Sequence, residues 1–334
     1  VLGDRVRAKV KSISARNILI GVTHTHSAPD CYGFPDGQGG FSSDLKYLDF
    51  VCAMMAEAIE EAARTARPAR VKIATGEAKG KIAYNYYAPQ LYDPRCSVIQ
   101  TIGADGQPIA TLVNYAIHPE VLGNRQGVLS PDLCGPLYDR IAEAGGGIAV
   151  FMNGAQGGMV TADVRGPDGK DVQTWEECQR IGTLLADEAL RLIASAPAVE
   201  SPALFCTNRA VRFKVESPLM LQIMKLSPLG YGTEGDGTIS TTLNLINLGS
   251  AQILTIPGEA LPNIGYYLKR KMRGEHNLLF GLTNDAFGYI LTKEDFNSFK
   301  RYDYVSRTSL GEMTGETLVN EALALVKDSP APAR

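Results

Sequence analysis

Only four histidines occur in the 334 residues, and three of them fall in two short segments. His24 and His26 are separated by one residue in Thr23-His24-Thr25-His26-Ser27. Side chains alternate along an extended backbone, so this spacing turns both imidazoles to one side. Neutral imidazole is the commonest metal-ligating side chain, and two of them at a strand end can share a cation. His118 is the third, in Asn114-Tyr115-Ala116-Ile117-His118-Pro119. A carboxylate stands at Glu259, where Pro257-Gly258 turns the chain sharply after an apolar run. It reads either as a ligand or as an acid in the first turn of a helix beginning near 260. Tyr289 and Tyr302 are possible site phenols. Asn153 and Gln156, in Asn153-Gly154-Ala155-Gln156-Gly157-Gly158, can orient ligands or substrate, or brace their own loop. Asp132 reads either as a partner holding a ligand histidine or as a helix N-cap. His276 precedes its strand, which puts it at the opposite end from such a site, on the surface.

The elements that must carry these residues follow from periodicity. Ile18–Val22 reads as a buried strand feeding the first histidine pair, after a helix ending over 4–14. A Gly-, Pro- and Asp-rich loop runs from Ser27 to Ser43. Residues 44–66 form the clearest helix, with a stripe through Leu45, Leu48, Val51, Cys52, Met55, Ile59 and Ala62. Val71–Thr75 is a strand. Residues 97–102 and 109–115 flank Asp105-Gly106, a hairpin signal. Helices are expected over 133–144, 174–195 and 260–273. Further strands are expected over 148–152, 203–215, 241–248, 251–256 and 278–283. The chemistry-bearing residues thus sit where strands run out into irregular loops, the usual place for a site. Strands and helices mix without a strict βαβ rhythm. This predicts an α/β (mixed α+β) chain of mixed β-sheets packed with helices. One domain spans 1–328, with a disordered tail over 329–334.

Composition narrows the partners. Thirty-three Lys+Arg against 36 Asp+Glu leave no basic excess for phosphates, so nucleic acid is excluded as a partner. No apolar run reaches the ~18 residues that a membrane-spanning helix needs. The stretch Val1–Arg5 has no apolar h-region of a signal peptide. Cytoplasmic and exported locations both stay open. Six cysteines without a CxxC pair argue against a cysteine zinc site. GxxxxGK[ST] and GxGxxG are both absent. A metallo-β-lactamase HxHxDH fails at Ala28 and Pro29. An amidohydrolase-type (β/α)₈ barrel, hydrolysing a cyclic amide or lactone, also opens on HxH and would recruit His276.

Five segments in order, THTHSAPD at 23–30, NYAIHPE at 114–120, FMNGAQGG at 151–158, IPGE at 256–259 and GLTNDAFGYILTKEDF at 281–296 with Tyr302 beyond, resemble the neutral (non-lysosomal) ceramidase family and its bacterial relatives. The resemblance spans residues 4–305 and implies a zinc hydrolase cleaving an amide (N-acyl) or related ester bond of a small or lipid-like substrate. It implies one Zn²⁺ per chain, on His24, His118, Glu259 and Tyr289. His26 matches a residue that faces the substrate without ligating. Tyr302 matches a further active-site tyrosine, off by one in its spacing from Tyr289. Asn153, Gln156 and Thr161 are expected at the substrate. The departures are specific. Val160 stands where the family has a substrate-contacting serine, with Thr161 only its neighbour, and Gly158 replaces an acid. Measured against the family, the first strands and the C-terminal immunoglobulin-like domain are missing from this chain. These departures put ceramide itself in doubt as a substrate. A ceramidase-like pseudoenzyme that binds amphipathic ligands is the remaining alternative.

Overall fold

The alternation at 71–75 belongs to a longer strand of the sheet whose strand 108–115 leads into His118. The structure is a computed structural model and describes residues 1–123 and 126–333. In chain order its first half comprises α1 (Leu2–Lys9), α2 (Leu45–Arg64), β1 (Ala69–Glu77), β2 (Ala83–Asn85), β3 (Arg95–Gly103), β4 (Pro108–Tyr115), α3 (Cys134–Glu143), β5 (Ile148–Asn153), β6 (Val160–Ala162), α4 (Trp175–Ala194) and β7 (Ala198–Val199). Five of these strands form one sheet in the order β5-β4-β3-β1-β7. The Asp105-Gly106 turn joins β3 to β4 antiparallel, whereas β4 and β5 run parallel. The second half adds β8 (Leu204–Lys214), α5 (Pro218–Leu226), β9 (Thr238–Leu248), β10 (Ala251–Thr255), β11 (Glu259–Ala260), α6 (Pro262–Lys271), β12 (His276–Phe280), β13 (Tyr289–Ile290), α7 (Asp303–Arg307) and α8 (Thr314–Asp328). Its main sheet has the order β12-β10-β9-β8, with β10 and β12 parallel.

The period-two pattern of each strand decides how these sheets stack. One face of the first sheet (Val98, Val113, Tyr115, Phe151) packs on Leu133, Leu137 and Ile141 of the α3 region and on Ile181 and Leu185 of α4. Its other face (Val71, Ile99, Leu112, Met152) meets Ile253, Leu278 and Phe280 of the second sheet. The far face of the second sheet (Phe213, Leu243, Leu245, Leu254) packs on Ile264 and Leu268 of α6 and on Leu318 and Leu325 of α8. The layers are therefore helix, sheet, sheet, helix, and antiparallel strands in both sheets exclude the (β/α)₈ barrel.

Two parallel pairs, β4/β5 and β10/β12, end close together. Buried Asn114 links them: its Nδ2 donates to the carbonyls of Met152 (2.9 Å), Asn153 (3.0 Å) and Leu279 (2.8 Å). Gly281 N donates to Asn153 O, and Ile256 N to Phe280 O. Carboxyl ends of parallel strands are where α/β sheets place ligands. His118 lies just beyond β4 and Glu259 just beyond β10, while Tyr289 pairs with Glu259.

Several sequence expectations need correction. Ile18–Val22 is not a strand. It forms a single bridge, Gly21 to Thr283, flanked by Val22 N to Leu282 O and Asn284 N to Ile20 O. The first helix ends at Lys9, because Val10 is extended and Glu60 takes the amides of Lys11 and Ser12. Helices α5 and α8 lie outside the expected elements; α5 starts on Ser217, whose Oγ caps Met220 N, with Pro218 at its first position. The tail does not fray at 329. Ser329 is buried, its carbonyl accepts from Arg273, and Pro330 O accepts from Asn247 Nδ2.

Candidate metal centre

The ring nitrogens of His24, His26 and His118 offer ligand atoms that all lie within 4.8 Å of one another. Their convergence does not come from strand alternation. His24 has φ +68°, in the left-handed region that a residue with a Cβ adopts at a cost of order 1–3 kcal/mol. That kink, not an extended run, separates the two rings and sets them edge to face at 4.9 Å. Met159, at φ +66°, and Asp132, at φ +53°, lie close by in the chain segments around the site. Strain is thus concentrated where the site is built, and the surrounding contacts must hold it in place.

Those contacts are specific. Fully buried Asn153 accepts from Ile117 N (3.2 Å) and Gly154 N (3.0 Å) and donates to Thr23 O (3.2 Å). One side chain therefore ties down the residue before His24 and the residue before His118. Asp132 accepts from Val121 N, Leu122 N and Leu133 N, fixing the turn after His118. It is neither hydrogen-bonded to a histidine ring among the described residues nor the side-chain cap of α3. Asn153 is fully buried and braces the two loops it joins.

Glu259 lies between two of the rings. Its Oε1 is 3.5 Å from His24 Nε2, and its Oε2 is 3.0 Å from His118 Nε2. The parallel pair β11/β13 sets Glu259 opposite Tyr289 in register, which brings a fourth candidate group to the same place. Tyr289 Oη lies 3.1 Å from Met159 Sδ. The two turn positions flanking this pair demand glycine. Gly157 passes so close that a Cβ would fall 2.1 Å from Glu259 O, and Gly288 has φ +76°.

The electrostatics follow from burial. Burial drives His24 down to about 4, against the opposing pull of Glu259. Burial also lowers His26. Burial alone would lower His118, but the hydrogen bond to Glu259, the charges of Glu120 and Glu259 and the Val160 carbonyl together outweigh it and raise the ring above its ordinary range. His118 Nδ1 faces Val160 O at 2.8 Å and Nε2 faces the carboxylate, so both ring nitrogens meet acceptors. Burial would raise Glu259, yet His24 and His118 hold it well below the carboxylate range. Burial and then Glu259 push the phenols of Tyr289, Tyr32 and Tyr304 upward.

This donor set fits a divalent cation. Three imidazole nitrogens and a buried carboxylate are donors of the kind divalent transition-metal ions take. A cation would take the place of the His118 proton, answer the buried Glu259 charge, and counter what resists ionisation of Tyr289. The hydrogen bond from Nδ1 to a backbone carbonyl is the usual device that orients a ligand imidazole.

The other expected residues divide. Thr161 lies half-buried in β6, bridged to His118 and paired with Tyr84. Gln156 is fully buried, and neither of its amide atoms has a hydrogen-bond partner among the described residues. Tyr302 does not stand on Tyr289. Its ring meets Tyr87 and Phe299, each at 5.5 Å, and the charges it feels are those of Asp295 and Arg301. Tyr304 takes that position, 5.7 Å from Tyr289 edge to face, at the start of α7. Sequence reasoning missed Tyr304, Tyr32 and Glu120, whose Oε2 is 3.2 Å from His26 Nδ1. The off-by-one spacing of Tyr302 was the available signal for the first. His276 sits at the start of β12 with Nδ1 3.2 Å from Thr75 Oγ1, remote from Gly281 at the site end.

No family model and no curated protein matches the sequence. Solved structures of ceramidases share the fold. Neutral ceramidase from Pseudomonas aeruginosa matches with a TM-score of 0.78 over 99% of this chain, at 17% identity. A structure described as ceramidase complexed with C2 matches with a TM-score of 0.77 over 100% of this chain, at 16% identity. The chain spans 65% and 66% of those proteins' lengths. At this identity the likeness establishes the fold, a mixed α/β architecture like that of neutral ceramidase.

Proposed function

We propose that the chain is a zinc-dependent hydrolase of amide (N-acyl) or related ester bonds, with the ion held by His24, His118, Glu259 and Tyr289. The unit that carries this activity extends over residues 1–328. The observation supporting it most directly is Glu259, a buried carboxylate between two imidazoles and in register with a buried phenol. Zinc in such a set lowers the pKa of water to about 7 and polarises a carbonyl oxygen.

The remaining chemistry belongs to the side chains. His118 is fixed by donation from Nδ1 to Val160 O. His26, a third exposed, and Tyr304, 47% exposed, are the proton-bearing groups within reach of solvent and substrate beside this set. Either can donate to a developing oxyanion or protonate the leaving amine. Val160 is fully buried and contributes its carbonyl, so it offers substrate no polar contact. The rings of Tyr86, Tyr87, Tyr302 and Phe299 run on from Tyr87 and Tyr302, which pack with Tyr289 and Leu291, and give an apolar arm a wall to lie along. An amide with an apolar acyl chain fits this arrangement better than one needing a polar group at position 160.

Metal analysis with turnover of N-octanoyl p-nitroanilide tests the proposal. His118→Ala should lose zinc and activity together, and His276→Ala should keep both. Full turnover by zinc-free His118→Ala would end it. A second reading, a three-histidine site, is favoured by the mutual approach of His24, His26 and His118. His26→Ala separates the two, since it should retain zinc under our reading.

A further inference from the structure

We infer that α5 and residues 299–307 form a docking surface for an anionic lipid membrane, beside the candidate metal centre. The helix has an unusual make-up. Leu219, Met220, Leu221, Ile223, Met224 and Leu226 are six of its nine residues, yet none of the nine is buried. Met220 and Met224, one turn apart, pack against the core between the second sheet and its helices. A helix packed along one stripe usually carries polar residues on the rest of its surface. Here Leu221 is 40% exposed and Leu226 is 48% exposed. A concentration of exposed apolar side chains marks a contact surface.

The helix continues into the rim of the site. Ser217 Oγ, at its N-cap, donates to Arg307 O at 2.8 Å, which ties α5 to α7. α7 carries exposed Tyr304, 5.7 Å from Tyr289. Ser227 Oγ, just past the other end, donates to Tyr32 O at 2.7 Å. Tyr32 stacks on exposed Phe34 at 5.1 Å. Met220 Cε comes within 3.9 Å of where a Cβ on Gly288 would lie, one residue before Tyr289.

Charge selects the occupant. The chain carries a net −3, but α5 and residues 299–307 hold four cations, Lys225, Lys300, Arg301 and Arg307, against one acid, Asp303, a local +3. All four cations are exposed. The Arg301 guanidinium sits 5.8 Å from the centre of the exposed Phe299 ring. Leucine and aromatic side chains with Lys and Arg among them suit a membrane interface, where apolar groups enter the acyl boundary and cations meet phosphates. A second copy of this chain is a poorer occupant, because a two-fold contact sets a patch against itself and would oppose these cations. No helix among the described residues is long and apolar enough to cross a membrane, so the contact is peripheral.

The purpose of docking, presenting lipid-borne amides to the site, rests on the hydrolase reading above; the docking does not. Flotation with vesicles of phosphatidylglycerol and of phosphatidylcholine tests it. Wild type should bind phosphatidylglycerol vesicles, release them as salt is raised, and bind phosphatidylcholine far more weakly. The double variant Leu221→Gln/Leu226→Gln should lower the partition about 10²-fold, and Lys225→Gln about fivefold. Both variants should keep wild-type zinc content and wild-type turnover of dissolved N-octanoyl p-nitroanilide. Equal binding to both vesicle types, or wild-type flotation of the double variant, would overturn the inference. So would a lipid-free oligomer in sedimentation velocity that the double variant dissociates, which would give the face to a second copy. If phosphatidylglycerol binding behaves as stated but zinc-loaded wild type cleaves no amide or ester, the hydrolase reading fails and the docking surface stands.

Discussion

Asn153 concentrates the problem of building this site into one side chain. Its amide binds the residue preceding each of two candidate ligands, Thr23 and Ile117. Removing it frees a strained His24 to relax from φ +68°. Supporting residues around a metal are typically worth 10–100-fold in affinity. Asn153→Ala should therefore weaken zinc about 10–100-fold by chelator competition, with the circular dichroism of the fold unchanged. The phenols give a second test at this scale. Tyr304 stands on Tyr289, and Tyr302 belongs to the aromatic row with Tyr87 and Phe299. Tyr304→Phe should depress kcat at least about 10-fold if it supplies a proton. Tyr302→Phe should alter KM for long acyl chains and leave kcat near wild type. A reversed pattern in steady-state kinetics would return the role to Tyr302.

At the scale of elements, short strands do what long ones cannot. β11 and β13 are two residues each, yet they set Glu259 beside Tyr289. Their position depends on the backbone of the Gly-rich loop after β5. A Cβ on Gly157 would lie 2.1 Å from Glu259 O and 2.7 Å from the carbonyl carbon of Ala260. Backbone cannot swing aside as a side chain can, so Gly157→Ala must displace β11. We expect zinc affinity to fall steeply, with a loss of stability of about 1–3 kcal/mol from overpacking. Isothermal titration with zinc and urea unfolding measure the two effects separately.

The whole molecule is held together across its layers by a buried ion pair. Lys269 of α6 donates to Asp93 Oδ2 at 2.9 Å, and Asp93 also receives Arg95. Both partners of the first pair are under 10% exposed. Asp93→Ala would leave Lys269 buried without its counter-charge, a loss of about 3–5 kcal/mol. Lys269→Met should cost less, because Arg95 still answers Asp93. Burial alone would raise the Asp93 carboxyl, but Lys269 and Arg95 hold it below its ordinary value. Its stabilisation is therefore complete above the unfolded pKa of about 3.9 and is lost as pH falls through the depressed folded value. Urea midpoints measured from pH 6 down to pH 2 should decline in wild type and decline less in Asp93→Asn.

The residue types at the site are legible in the sequence because metal chemistry admits few of them. The histidine spacing and the Pro-Gly-Glu turn single out candidate donors, and the resemblance of the ordered segments implies His24, His118, Glu259 and Tyr289, the set we propose as ligands. Long helices such as α2 and α4, and the Asp105-Gly106 hairpin, are legible because periodicity and turn chemistry are local. The sheets and helices of a mixed α/β chain can be read for the same reason. What only the tertiary structure decided was non-local. The left-handed turn at His24, the closure of Asn153 over two loops, Tyr304 rather than Tyr302 beside Tyr289, and the reach of Glu120 to His26 all depend on contacts between segments far apart in the chain. Each is set by packing and by where buried polar groups find partners, and neither is encoded in the spacing of one segment.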